Sequence, residues 1–504
     1  MDSHSKIKWD WKKKTVLGVG IVLLVLQAVR MTVDGKGDFN LHWESGRRLV
    51  TGDDLYYFGL NCPYPPFWAL VHAPLSFLPI PVAQLLFYPL FLVAFLLLGR
   101  TLRRMTKGGV SQPSPRFSLR GRGRILEPAH HEPPHAGSVE DSVPSHLGRI
   151  DANARFWIFV GAVLLTSRFL VRDMMECGVN LLMVALAWFA IELWSRHKEK
   201  RAGLWLGLAI SLKCTPALFL LFFAWKRQWR MVRWTMVFVV GFTLSPILVM
   251  GPQKYVSAMT YWTTMSWRGF GKSDPSLGTL GQEPIQNDAL RPALARFFMH
   301  LPKDHKARLD HPFYFDFLNL DPAVAGWMIR ILILVLVITI VRRIPRSVEE
   351  RRGWNMLWEC TMVSVMLLLL SPITWGQHCV GVLPAFYTIL WTRRTKLLRS
   401  RWVTSYLVFY SLAILVLNRT VIGKTGSLLF DSYHISTWCL LLLVFTILHC
   451  RDRQQRLQSD LEAEILFSSS IRRQGSAFQQ EQTPQATQTD DTADPIREHI
   501  QKIA

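Results

Sequence analysis

The sequence predicts an all-α, polytopic membrane protein built as a helical bundle. Three observations carry this. Half of its 504 residues are hydrophobic, with 20 Trp and 29 Phe, which is too apolar for an ordinary soluble domain. Apolar runs of about 16–20 residues recur along the chain, the length range of a helix that crosses a bilayer. Lys and Arg concentrate in the short breaks between runs, at 196–201, 226–233, 342–352 and 393–401. That is the pattern of cytoplasmic loops, and it accounts for much of the net charge of +22 without any nucleic-acid partner.

The elements follow in order. Residues 1–14 form a basic cytoplasmic N-terminus. Residues 15–33 cross outward and are retained as an anchor, since no small-residue cleavage site follows. The segment 15–99 holds this span, an outer loop and a second span; Pro74, Pro79 and Pro81 leave its first apolar half at the outer surface and 82–98 as the crossing. Residues 100–153, rich in Arg, Pro, Gly, Ser and His, read as a disordered cytoplasmic insertion.

Membrane helices occupy 154–250. Within them, 202–225 lies between two basic loops and must cross an even number of times. Lys213 and Pro216 break it, which predicts a broken helix pair, either re-entrant or two thin spans. Irregular backbone at that depth is tolerated only against protein or a cavity. Residues 251–326 form an extracytoplasmic loop, 327–450 further membrane helices, and 451–504 a cytoplasmic tail that is disordered toward its end. The total is about eleven spans plus the broken pair.

The seven cysteines make no disulfide framework. Cys62 and Cys177 both fall on the outer side, where they either pair or stand as two isolated thiols. No C-x2-C zinc spacing is present, and no metal is expected.

Asp38 is the most informative residue. It follows the first span directly, and a carboxylate that close to hydrocarbon is costly and tends to be functional. This topology also brings Tyr56, Tyr64, Lys213, Asn287, Trp375 and His378 to the outer face. One acid, two potential cations and aromatic surfaces suit a phosphate-bearing, lipid-linked sugar. Glycosyl transfer from such a carrier needs a base for the incoming hydroxyl and cations for the departing phosphate. Each residue also has a plain structural role open to it. Asp38 suits a helix cap, Lys213 snorkelling to headgroups, and Trp375 the interfacial belt.

Five blocks resemble glycosyltransferase family 87, membrane enzymes of the GT-C class also called DUF2029. The first runs from Asp38-Phe39 through Gly52-Asp53-Asp54-Leu55-Tyr56 and Tyr64-Pro65-Pro66 to Ala73-Pro74-Leu75-Ser76-Phe77-Leu78-Pro79. The second, Cys177-Gly178-Val179-Asn180, is similar to the family's Gly-Gln-x-Asn. The third runs from Ala202-Gly203 to Lys213-Cys214-Thr215-Pro216. The fourth, Asn287-Asp288-Ala289-Leu290 to Arg296, resembles Asn-Gln-Ser-Leu…Arg. The fifth, Ser371-Pro372-Ile373-Thr374-Trp375-Gly376-Gln377-His378, resembles Ser-Pro-x-Ser-Trp-x-His-His, with Gln377 replacing the first His.

The resemblance implies a GT-C fold and a polyprenyl-phosphate sugar donor, commonly mannose. It implies inverting transfer to a glycan or glycolipid acceptor on the extracytoplasmic face of the inner or plasma membrane. It makes Asp38 the catalytic base. Tyr56, Tyr64, Lys213, Asn287, Arg296, Trp375 and His378 are then the substrate-binding candidates, with His378 near the donor phosphate. No cofactor is expected beyond the donor itself. The competing reading is a transporter or flippase for a lipid-linked or anionic solute, and the absence of matched broken segments in two halves weighs against it. A non-catalytic scaffold would leave Asp38, Lys213 and His378 far apart.

Overall fold

The computed structural model describes residues 11–34, 37–56, 63–107, 152–271, 274–279, 281–309, 317–348, 351–394 and 400–481. Of the expected insertion at 100–153, residues 108–151 lie outside them, as do Cys62 and residues 482–504, while 100–107 and 152–153 are the ends of helices and not part of a disordered segment. The chain divides into two compact units, Met1–Arg451 and Asp452–Ala504.

Helices dominate the first unit. Helix α1 (Trp11–Asp34) leads to Gly37, whose φ of +110° only glycine adopts readily. Helix α2 (Phe39–Thr51) is amphipathic, burying Phe39, His42, Ser45, Gly46 and Leu49 at helical spacing, and ends on the left-handed Gly52. Helix α3 (Pro66–His72) begins with proline in its first turn, where no helical N–H is lost, and a 3-10 turn over Ala73–Phe77 follows it. The long helix α4 (Ile80–Lys107) follows.

Helices α5 (Ala152–Met175) and α6 (Asn180–Ser195) are joined by a four-residue link. Helix α7 (Glu199–Leu212) and helix α8 (Ala217–Trp225) flank the non-helical Lys213–Pro216 break. Helix α7 lies hard against α9 (Trp229–Leu244) because Gly203 and Gly207 leave room. A Cβ at Gly203 would sit 2.6 Å from Trp234 Cβ, and one at Gly207 would sit 2.8 Å from Phe238 Cβ. This is the small-x3-small device of membrane helix pairs.

Helix α10 (Ile247–Met250), helix α11 (Pro252–Gly271), a two-stranded hairpin of β1 (Leu277–Gly278) and β2 (Gly281–Gln282), and helix α12 (Leu290–Phe298) build the long segment before α13 (Pro322–Arg343). Helix α14 (Trp354–Leu370) ends in the polar corner 371–375, and a 3-10 stretch from Gly376 feeds α15 (Leu383–Arg394). Helix α16 (Arg401–Tyr410) continues as a π-helix to Val416. Helix α17 (Arg419–Ser432) turns away from that pair by 97°.

Helix α18 (Ile435–Glu481) occupies the first part of the segment expected to be a cytoplasmic tail, and the end of that tail, 482–504, lies outside the described residues. The Glu, Gln, Arg and Leu of 453–466 are strong helix formers, and this propensity outweighs their polarity.

Among the described residues, five helices are long and apolar enough to cross a membrane. These are α4, α5, α9 with α10, α13 and the first part of α18, with a sixth if the bent α16–α17 pair counts as one span. Helices α6 and α14 are apolar but shorter, at 16 and 17 residues. Nearly every residue of α14 is buried, so it is a central helix surrounded by protein. Helix α13 instead exposes Ile331, Leu334, Val335 and Ile338, as a lipid-facing helix does.

Candidate active site

Asp38 sits where three segments meet. Gly37 brings the chain against the end of α5 so closely that a Cβ there would stand 2.9 Å from the Met175 carbonyl oxygen. Asp38 N–H donates to the Glu176 carbonyl (3.2 Å), and its own carbonyl accepts from Leu41 and His42 as the start of α2. Its side chain makes no capping bond, so the carboxylate is left for other use. The Gln377 side chain, Lys213 and Arg172 lie close enough to act on its charge. Burial raises the Asp38 pKa above the usual carboxylate value, and Lys213, Gln377 and Arg172 offset part of that rise. Glu176 is raised as well, by burial and by the neighbouring Asp38 charge.

The helix break presents Lys213. Its extended backbone (φ −150°, ψ 119°) turns the chain out of α7. Nζ donates to Asn180 Oδ1 (2.8 Å) and lies 3.0 Å from His378 Nε2. An ammonium only donates, so Nε2 accepts from Lys213, while Nδ1 lies 3.1 Å from the Ile373 carbonyl and 3.2 Å from Trp375 N–H and is anchored to the corner backbone. Asn180 in turn donates from Nδ2 to Asp173 Oδ1 (2.7 Å), and Leu181 N–H donates to Asp173 Oδ2 (3.0 Å). The result is a continuous chain from the Asp173 carboxylate through Asn180, Lys213 and His378 to the corner backbone. Gly178 is required beside it, because a Cβ would fall 2.0 Å from Asp173 Oδ1. Cys177, where the resembled pattern has glycine, holds a left-handed φ of +45°.

Lys213 and His378 also line a cavity of ≈ 50 Å³, together with Asn180, Thr374 and apolar side chains that include Trp188 and Phe219. The cluster therefore has a polar wall and a greasy one. Tyr64 is buried and stacks on Trp68 (4.2 Å between centroids), and Lys213 Nζ lies 5.8 Å from its ring. Tyr56 donates its hydroxyl to the Tyr64 carbonyl (2.7 Å) and so reaches the cluster through Tyr64. Trp375 stacks on His378 at 6.0 Å.

Asn287 is engaged differently. It is fully buried, and its amide donates to Glu283 Oε2 (2.8 Å) and the Pro372 carbonyl (3.0 Å). Its Oδ1 accepts from Thr374 N–H (2.8 Å) and Ala289 N–H (3.2 Å). Both amide protons and both acceptor positions are thus used, so no hydrogen-bonding capacity remains for a ligand. The side chain pins the 371–378 corner and so positions His378. Arg296 is also buried; its guanidinium lies 4.7 Å from the Tyr433 ring and Nε donates to Ser432 Oγ (3.4 Å). These contacts place it at the α17–α18 junction.

Five residues of the cluster were not among the sequence candidates: Arg172, Asp173, Glu176, Asn180 and Gln377. Arg172 had a readable signal. It and Arg168 stand at the end of an apolar run that the charge pattern assigns to the outer side, against the Lys/Arg bias. Asp173 and Glu176 follow the same run, and Asn180 and Gln377 lie within the blocks that carried the family resemblance. Among the described residues, no three His, Cys, Asp or Glu side chains gather so as to hold a metal ion. Cys177 is a buried free thiol whose Sγ accepts from Gln84 Nε2 at 3.2 Å.

The profile of glycosyltransferase family 87 matches residues 63–372. Tyr64, Lys213, Asn287 and Arg296 fall inside that match, and Asp38, Tyr56, Trp375 and His378 lie just beyond its ends. Two similar proteins bear the name polyprenol-phosphate-mannose-dependent alpha-(1-2)-phosphatidylinositol mannoside mannosyltransferase. That of Mycobacterium tuberculosis is 27% identical over 367 residues, covering 70% of this chain and 69% of its own length. That of Mycolicibacterium smegmatis is 26% identical over 401 residues, covering 77% and 76%. No solved structure gives a significant match.

Proposed function

The chain belongs to glycosyltransferase family 87, and from that premise we propose that it transfers mannose from a polyprenyl-phosphate carrier to a glycolipid on the extracytoplasmic face, with inversion and with Asp38 as the base. The observation that carries this reading is the junction at Lys213. One ammonium acts on the Asp38 carboxylate, hydrogen-bonds His378, and lines a cavity whose other wall is apolar. A phosphosugar on a hydrocarbon tail needs these three things together.

The chemistry balances on the residues present. The acceptor hydroxyl gives its proton to Asp38 as its oxygen bonds to the anomeric carbon. The bond from that carbon to the phosphate oxygen breaks on the opposite face, and its electron pair leaves on the phosphate. Lys213 meets the developing charge, with the Nδ1 edge of His378 held by the backbone of Ile373 and Trp375 so that Nε2 stays aimed at the ammonium. Burial makes Asp38 a stronger base than a solvated carboxylate, and the two cations with Gln377 keep that rise in check.

Asp38→Asn tests the assignment. Purified protein in bilayer discs, given polyprenyl-phosphate mannose and a phosphatidylinositol mannoside acceptor, should lose transfer by about 10²–10⁴-fold while still binding the donor. Turnover within a few-fold of the native protein would remove Asp38 from the role of base.

A further inference from the structure

Helix α11 carries a stripe of hydroxyls that the catalytic cluster does not use. Ser257, Thr260, Tyr261 and Thr264 follow i, i+3, i+4, i+7 spacing, so all four stand on one face. All four are exposed, and with Met265 they line a surface groove of ≈ 410 Å³. Tyr255, Ala258 and Met265 are buried on the inward side of the helix, while Val256 (60% exposed) and Trp267 (70%) form an apolar edge beside the stripe. An exposed apolar edge bearing Trp is what a helix at a membrane–water boundary presents to lipid.

The groove is tied to the catalytic cluster. Tyr261 stacks on Tyr56 (5.3 Å between centroids, 18° between planes), Tyr56 donates to the Tyr64 carbonyl, and Lys213 stands over the Tyr64 ring. Trp262 Nε1 donates to the Pro63 carbonyl (3.0 Å), next to Tyr64, and Lys254 Nζ to the Gly52 carbonyl (2.7 Å), four residues before Tyr56. Tyr261 remains 46% exposed although Tyr56 covers one side of its ring.

The geometry points to the groove as the seat of the acceptor's sugar headgroup, with the lipid part of the acceptor lying along the Val256–Trp267 edge. This rests on the glycosyltransferase reading above. The lining carries no formal charge, which suits a neutral polyol and not a phosphate. Ser and Thr hydroxyls both donate and accept, as sugar hydroxyls do, and an open tyrosine face packs on the C–H side of a pyranose ring.

The test uses full-length protein in bilayer discs and octyl α-mannoside as the probe. Its Kd is measured by calorimetry and its acceptor KM with polyprenyl-phosphate mannose as donor. Tyr261→Ala, and separately the double change Thr260→Val/Thr264→Val, should each raise both values about tenfold, the loss of one good contact. Tyr261→Phe should stay near the native values, and donor KM should shift by less than about twofold in all variants. Unchanged Kd in the Ala and Val variants would overturn the inference, as would failure of the native protein to bind the probe or a matching rise in donor KM. If the native protein transfers no sugar from any donor, the reaction reading fails, and the Kd comparison still decides whether α11 is a sugar site.

Discussion

Lys213→Met isolates the charge on which the proposed chemistry turns. Methionine nearly matches the lysine stem in length but carries no ammonium. The native Nζ donates to Asn180 Oδ1 at 2.8 Å and contacts His378 Nε2 at 3.0 Å, so a buried and a half-buried acceptor lose their charged donor. Each unpaired acceptor costs about 1–3 kcal/mol, which makes the fold less stable without abolishing it. Removing one preorganised stabiliser of a developing negative charge costs about 10²–10³ in kcat, or about 2.7–4 kcal/mol of transition-state stabilisation.

A second consequence follows from Asp38. Its pKa is raised by burial, and Lys213 is the foremost group holding it down. Without that ammonium the carboxylate protonates at higher pH. A base works only when deprotonated, so the acid limb of kcat/KM should move to higher pH in Lys213→Met. Lys213→Arg keeps the charge and should keep the limb near its native position. The assay is single-turnover release of mannose from the carrier between pH 4 and 9, with thermal inactivation measured alongside to separate unfolding from chemistry. A kcat within about threefold of native, or an acid limb that does not move, would refute the reasoning.

Two further outcomes are expected beyond the Asp38 and α11 tests. Glu283 is raised to about 7 by burial, against an ordinary 4.5, despite the Asn287 amide that lowers it. The folded state therefore favours its protonated form. Stability from this group is full below about pH 4.5 and is lost as pH rises through about 7, worth up to about 3 kcal/mol. Glu283→Gln should flatten that part of the thermal-stability profile between pH 5 and 8; a profile with the native slope would show that other groups set it. Asn287→Leu keeps the volume but strands partners at Glu283, Pro372, Thr374 and Ala289. It should cost about 3 kcal/mol or more in stability and lower kcat through the slackened corner. If kcat held while acceptor KM alone rose, Asn287 would be a ligand contact after all.

The sequence alone determined the class of this protein. Apolar length, basic breaks and aromatic content are one-dimensional properties, and the bilayer admits few folds that satisfy them. It also marked the break at Lys213, since a lysine and a proline inside an apolar run leave few alternatives, and it picked out Asp38 from its place after the first span.

Only the tertiary structure decided how these residues are used. Asn287 reads as a binding amide in sequence, yet four backbone and side-chain partners consume it, because hydrogen-bond capacity depends on who else is near. Arg172 lies at a helix end that sequence assigns to the membrane edge, yet it acts on Asp38 because α5 ends beneath Gly37. Gln377 is a departure from a family pattern until its side chain is found close enough to lower the Asp38 pKa. The hydroxyl stripe of α11 acquires meaning only beside Tyr56. Periodicity can be read along a chain, but charge coupling and hydrogen bonding fall off within a few ångströms, and only folding sets those distances between residues far apart in sequence.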